Sequence, residues 1–131
     1  MKQAIRQYTG KNADPEKVGQ LIKQFFDNEK FKTQMGVHPN GVIVQAQKGG
    51  IFRTLLAMDR AFTVMVEGDA NNLTVKLGVG KWLQDLGVAA IEAILLTELV
   101  IFVEVPEALW TFEIEHQLWH YLESQLELGI Q

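Results

Sequence analysis

A chain of 131 residues has the length of one domain, here expected to span 1–131, and a body of that size takes roughly two thirds of its unfolded surface out of water. With 47% apolar and 21% charged residues it does not have the composition of a disordered segment, and the lack of cysteine excludes disulfides, thiolate-held clusters, thiol nucleophiles and Cys-built zinc sites. The net charge of −4 hides a division: residues 1–60 carry ten Lys or Arg against five acids, and residues 61–131 carry two Lys against eleven, a pattern suited to attraction between halves or between copies.

At the start of the chain Lys2 and Arg6 lead into Tyr8, Gly10, Asn12 and Asp14 rather than an apolar run, so no secretory signal is read there and a cytoplasmic protein is expected. Asp14-Pro15-Glu16 has the form of an N-cap, a proline at the first helical position and an acid in the first turn. Val18, Leu21, Ile22, Phe25 and Phe26 then recur at helical spacing, which predicts an amphipathic helix over about 15–29.

The period next changes to two. Phe31, Thr33, Met35 and Val37 alternate with Lys32, Gln34 and Gly36, and His38-Pro39-Asn40-Gly41 supplies a turn before Val42, Val44 and Ala46, which together predict a hairpin. A second hairpin is expected from Ala61–Glu67, the turn residues Gly68-Asp69-Ala70-Asn71-Asn72, and the alternation of Leu73, Val75, Leu77 and Val79. Polar alternate positions predict that one face of this antiparallel sheet meets water.

Trp82–Leu96 is apolar on nearly all sides and predicts a central helix, while β-branched enrichment in Leu99–Val105 favours a fifth strand over a continuation of that helix. Glu92 and Glu98 interrupt the apolar run Leu86–Val103, and two carboxylates in mid-span would be costly in lipid, so no transmembrane span is expected. Pro106-Glu107 opens a long C-terminal helix whose Leu109, Trp110, Phe112, Ile114, Leu118, Trp119, Tyr121, Leu122 and Leu126 exceed one narrow stripe. The fold expected is α+β: an antiparallel four- to five-stranded sheet packed by an N-terminal helix, a central apolar helix and a long C-terminal helix.

Three groups of residues could carry function. Lys48, Gly49, Gly50, Arg53 and Arg60 combine basic side chains with glycines that can bare backbone N–H groups, a combination that would suit an anionic lipid or a small apolar anionic ligand. Glu113, His116, His120 and Glu123 share one helical face, and the four-residue step between the histidines lets both imidazoles reach one divalent ion. Their order is not that of a zinc protease, whose general-base Glu lies within the histidine pair. Trp110, Trp119 and Tyr121, on a segment with no Lys or Arg between Glu107 and Gln131, would suit a protein interface.

Gly78-Val79-Gly80-Lys81 lacks the spacing and hydroxyl residue of a phosphate loop, and no cofactor is expected. Nucleic acid is not an expected partner, because the basic stretch is short and the aromatics sit at core spacing. The preferred reading is a non-catalytic interaction domain that self-associates into a homo-oligomer. A lipid or apolar-anion binding module and a small metal-dependent enzyme are the alternatives.

Overall fold

The computed structural model describes residues 4–10, 13–38, 41–47, 60–82 and 112–128. Seven elements lie within them: β1 (Ala4–Thr9), α1 (Pro15–Asn28), β2 (Lys32–His38), β3 (Gly41–Gln47), β4 (Arg60–Asp69), β5 (Asn72–Lys81) and α2 (Phe112–Leu128).

The start and end of α1 follow from local chemistry. Asp14 is the N-cap, in extended backbone, and its carboxylate accepts the Glu16 N–H at 3.2 Å while Pro15 fills the first turn, where no donor is needed. At the other end the Lys30 N–H donates to the Asp27 carbonyl and the Phe31 N–H to the Phe26 carbonyl, both at 3.0 Å, with Lys30 left-handed at φ 70. These two bonds make a Schellman motif, and its usual apolar clasp is present as the edge-on packing of Phe31 on Phe26, ring centroids 5.1 Å apart. The clasp swallows Phe31, so β2 starts one residue later than the alternation suggests.

The five strands pair antiparallel in the order β1-β5-β4-β3-β2. β2 to β5 form the two expected hairpins, the first closing between His38 and Gly41 and the second between Asp69 and Asn72. In the second, the Asn71 N–H donates to Asp69 Oδ1, and Gly68 at φ 101 admits the Asn72 carbonyl, with which a Cβ would collide. The segment after β1 is tied to this turn by the Gly10 N–H on the Asn71 carbonyl and the Ala13 N–H on the Ala70 carbonyl. α1 then starts beside the β4–β5 turn and packs over β4, β3 and β2 on one face of the sheet.

The core lies on that face. Val42, Val44, Ala46, Phe62, Val64, Val66, Leu73, Val75 and Leu77 from the sheet meet Val18, Ile22, Phe25 and Phe26 from α1 and Leu118, Trp119, Leu122 and Leu126 from α2. Aromatic rings join the parts: Phe26 stacks on Phe62 at 6.2 Å, and Phe25 lies 5.7 Å from Tyr121.

Three expectations are corrected. The described residues hold a five-stranded sheet with an N-terminal and a C-terminal helix, and no central helix is among them. β5 runs on to Lys81, because Gly78 and Gly80 are ladder positions opposite Thr63 and Ala61 rather than a break, and Trp82 follows in non-helical backbone. The rest of the segment assigned to that helix, and Leu99–Val105, lie outside the described residues.

The fifth strand of the described sheet is the N-terminal segment Ala4–Thr9. β1 escapes a reading by alternation because its pattern is inverted: Arg6 and Tyr8 lie on the helix-covered face, whereas Ile5, its most apolar side chain, is 50% exposed on the other.

The second face of the sheet is not given over to water. Ile43, Met65, Gln45, Thr63 and Ala61 point away from the core cluster and are nonetheless almost fully buried. Gln45 and Thr63 tolerate this because they are hydrogen-bonded: across strands Gln34 Nε2 donates to Gln45 Oε1 at 2.8 Å and Gln45 Nε2 to Thr63 Oγ1 at 3.1 Å, and within β4 the Thr63 hydroxyl donates to the Ala61 carbonyl at 3.2 Å. Satisfied polar side chains are thus as compatible with a dry surface as apolar ones.

Candidate functional site

Among the described residues, the candidates named from the sequence do not form one cluster. Lys48, Gly49, Gly50 and Arg53 lie outside the described residues, and Arg60 opens β4 opposite Lys81 at the far end of the ladder from the β4–β5 turn. In α2, His116 and His120 are both exposed, on the side of the helix away from Leu118 and Leu122. Glu113 belongs to the same helix, one turn earlier. Among the described residues no group of three or more His, Cys, Asp or Glu is placed to hold a metal ion.

Of the aromatic trio, Trp110 lies outside the described residues, Trp119 is buried in the core and Tyr121 packs partly buried against it. Over residues 116–127 the apolar side chains Leu118, Trp119, Leu122 and Leu126 are buried within the chain, and the helix presents His116, Gln117, His120, Glu123 and Glu127 outward.

What the fold does assemble is a junction between β1 and α2. The Tyr8 hydroxyl donates to Glu123 Oε2 at 2.9 Å, across a separation of 115 residues. Arg6, two residues along the same face of β1, sets its guanidinium 5.4 Å from the centre of the Trp119 ring, one helical turn before Glu123. Burial of the Tyr8 ring, reinforced by the carboxylate beside it, pushes the phenol well above the ordinary tyrosine range, whereas the positive charge of Arg6 acts weakly in the opposite sense. The phenol is thus held as a donor at any physiological pH. A small cavity of about 150 Å³, lined by Tyr8, Glu123, Leu126 and Glu127, opens beside the bond. The Trp119 indole N–H is buried and meets no acceptor among the described residues.

A second hollow of about 390 Å³ lies at the α1 start, between the tips of the two hairpins, and is lined by residues that include Asp14, Glu16, Val37, His38 and Asp69. Two of its acids already have structural work: Asp14 caps α1 and Asp69 closes the β4–β5 turn. On the second sheet face, Lys76 Nζ stands 3.1 Å from Glu67 Oε1 in a half-buried ion pair.

Nothing in the sequence marked the junction. Tyr8, Arg6 and Glu123 belong to no motif, and only the docking of the last helix beside the first strand brings them together.

No protein-family model matches the chain, and comparison with curated proteins and with solved structures gives no match either. Among the described residues no helix is long and apolar enough to cross a membrane.

Proposed function

We propose that this chain is a non-catalytic interaction domain that associates with copies of itself. The reading is supported by β1, the outermost strand on its side of the described sheet, whose Ile5, Arg6, Gln7 and Thr9 are all exposed. An edge strand carries a row of main-chain donors and acceptors with no partner on the outer side, and proteins commonly guard such edges with proline, a bulge or several charges. β1 has no proline and a single charge, Arg6, and it sets a half-exposed isoleucine on the open face. Because Trp119 is occupied within the core, the interacting surface moves from the aromatic helix side chains to this strand.

The test is the mass of the purified chain by light scattering or sedimentation velocity. Association that grows with concentration is expected, and a single-chain mass from micromolar to near-millimolar protein would overturn the reading.

A further inference from the structure

Self-association, the reading on which this step rests, leaves open which surfaces meet and in what register. We infer that two copies join through β1 in an antiparallel pair centred on Gln7, with Arg6 of each copy bridging to Glu123 of the other.

The described sheet has two edges, β1 and β2. On β2, Lys32 places a charge at the start of the strand, and Gly36 and His38 are buried. On β1 four of the six residues are exposed. Strand addition needs main chain that a second strand can approach, and β1 is the edge that offers it.

A strand paired antiparallel with its own copy lies on a two-fold axis, so the pairing closes at two chains and each contact occurs twice. The residue on the axis decides the chemistry. With Arg6 there, two guanidinium groups would stand directly opposite each other, which is unfavourable. With Tyr8 there, the two Glu123 carboxylates that accept its hydroxyl would be brought together.

With Gln7 on the axis, both conflicts vanish. Ile5 then lies across from Thr9 of the second copy and Arg6 across from Tyr8 of the second copy, with facing Cβ atoms about 5 Å apart. The Tyr8 hydroxyl holds Glu123 at 2.9 Å, so each Arg6 faces a carboxylate whose position is already set. Arg6 lies on the same face as Tyr8, two residues along the strand, and is exposed, so its long side chain can swing from the Trp119 ring to that carboxylate. α2 supplies no cation of its own, since no Lys or Arg occurs between Glu107 and Gln131. On the opposite face Ile5 and Thr9 of both copies form one strip beside the two Gln7 side chains. The product is one continuous sheet made from two five-stranded ones.

Charge reversal separates this arrangement from any other dimer. Arg6→Glu and Glu123→Arg each turn both bridges repulsive in a homodimer, whereas a mixture of the two variants regains one inverted and one native bridge. Sedimentation of the full chain is expected to show a wild-type dimer, a Kd raised about tenfold or more in each single variant, and recovery toward wild type in the equimolar mixture. Circular dichroism on each sample establishes that it is folded. Gln7→Arg, at an exposed position, puts like charges on the axis without touching the Tyr8–Glu123 bond, and is expected to weaken the dimer by a similar factor.

A wild-type dimer indifferent to all three substitutions would overturn the β1 pairing while leaving self-association through another surface intact. Single variants that dissociate but do not recover on mixing would overturn the bridge, as would a wild-type assembly larger than two chains. A wild-type monomer at every concentration would overturn both the pairing and the reading beneath it.

Discussion

Lys30 holds a left-handed conformation that an L-residue adopts at some cost, and it does so because both hydrogen bonds of the Schellman motif close only with that backbone. Its side chain is exposed, so Lys30→Gly removes strain without removing a buried contact. The substitution is expected to stabilise the chain by about 0.5–1 kcal/mol after the extra freedom of glycine in the unfolded state is counted, read as a higher urea midpoint at unchanged slope. Gly19 is the opposite case. It sits inside α1, where alanine would be the better helix former by about 1 kcal/mol, yet a Cβ there would stand 2.5 Å from Cγ1 of Val42. Val42 is β-branched and fully packed and has little room to yield, so Gly19→Ala is expected to destabilise on balance, overpacking costing about 1–3 kcal/mol. The same substitution in a Val42→Ala background should cost less or nothing, and a double-mutant cycle by chemical denaturation measures the difference.

Elements form where local chemistry and burial agree. α1 was legible almost to the residue, since Asp14-Pro15-Glu16 defines its start and the spacing of Val18, Ile22, Phe25 and Phe26 defines the face that the sheet covers. The β2–β3 and β4–β5 hairpins were legible from alternation and turn residues, because a strand half-buried on one side must alternate. β1 was not legible, for a strand at the margin of a sheet is held by main-chain bonds to one neighbour and need not alternate in the usual sense. Nor was the burial of both faces at β3 and β4. Gln45 and Thr63 read as solvated positions, and only the neighbouring strands supply the partners that let them leave water. β5 outruns its alternating residues for a related reason: Gly78 and Gly80 have no side chain to show a pattern, but within a ladder the neighbouring strand holds them in line.

At the scale of the whole molecule, pH dependence reports how distant parts are joined. Tyr8 has a raised pKa in the folded state, so its contribution to stability is fully present below the unfolded value of about 10 and is lost as pH rises beyond it. Asp27 has the reverse sign. The Thr33 hydroxyl, and more weakly Lys23, hold its carboxyl below the usual range, so its contribution is present above about 4 and fades as pH falls through the folded value. Tyr8→Phe is expected to cost about 1 kcal/mol near neutrality, where a bond to an exposed carboxylate is lost, and the gap between variant and wild type should narrow above pH 10. Denaturant titrations at several pH values check both signs. A gap that stayed constant into the alkaline range would mean that Tyr8 does not link β1 to α2 in solution.

The candidate site divides in the same way. His116 and His120 lie exposed on α2, and spacing along a single helix cannot say what stands opposite them. Trp119 was legible as important and not as inward, because an apolar side chain has the same sequence signature whether a core or a partner covers it. By itself the sequence determined composition, the N-cap of the first helix, the two hairpins and the apolar stripe of that helix, all of which depend on neighbours within a few residues. The tertiary structure alone decided that Ala4–Thr9 flanks β5, that polar side chains fill a dry face, and that Tyr8 finds Glu123. Each of these joins residues far apart along the chain, and the free energy that selects among such pairings comes from burial and hydrogen bonding in three dimensions, which local order does not encode.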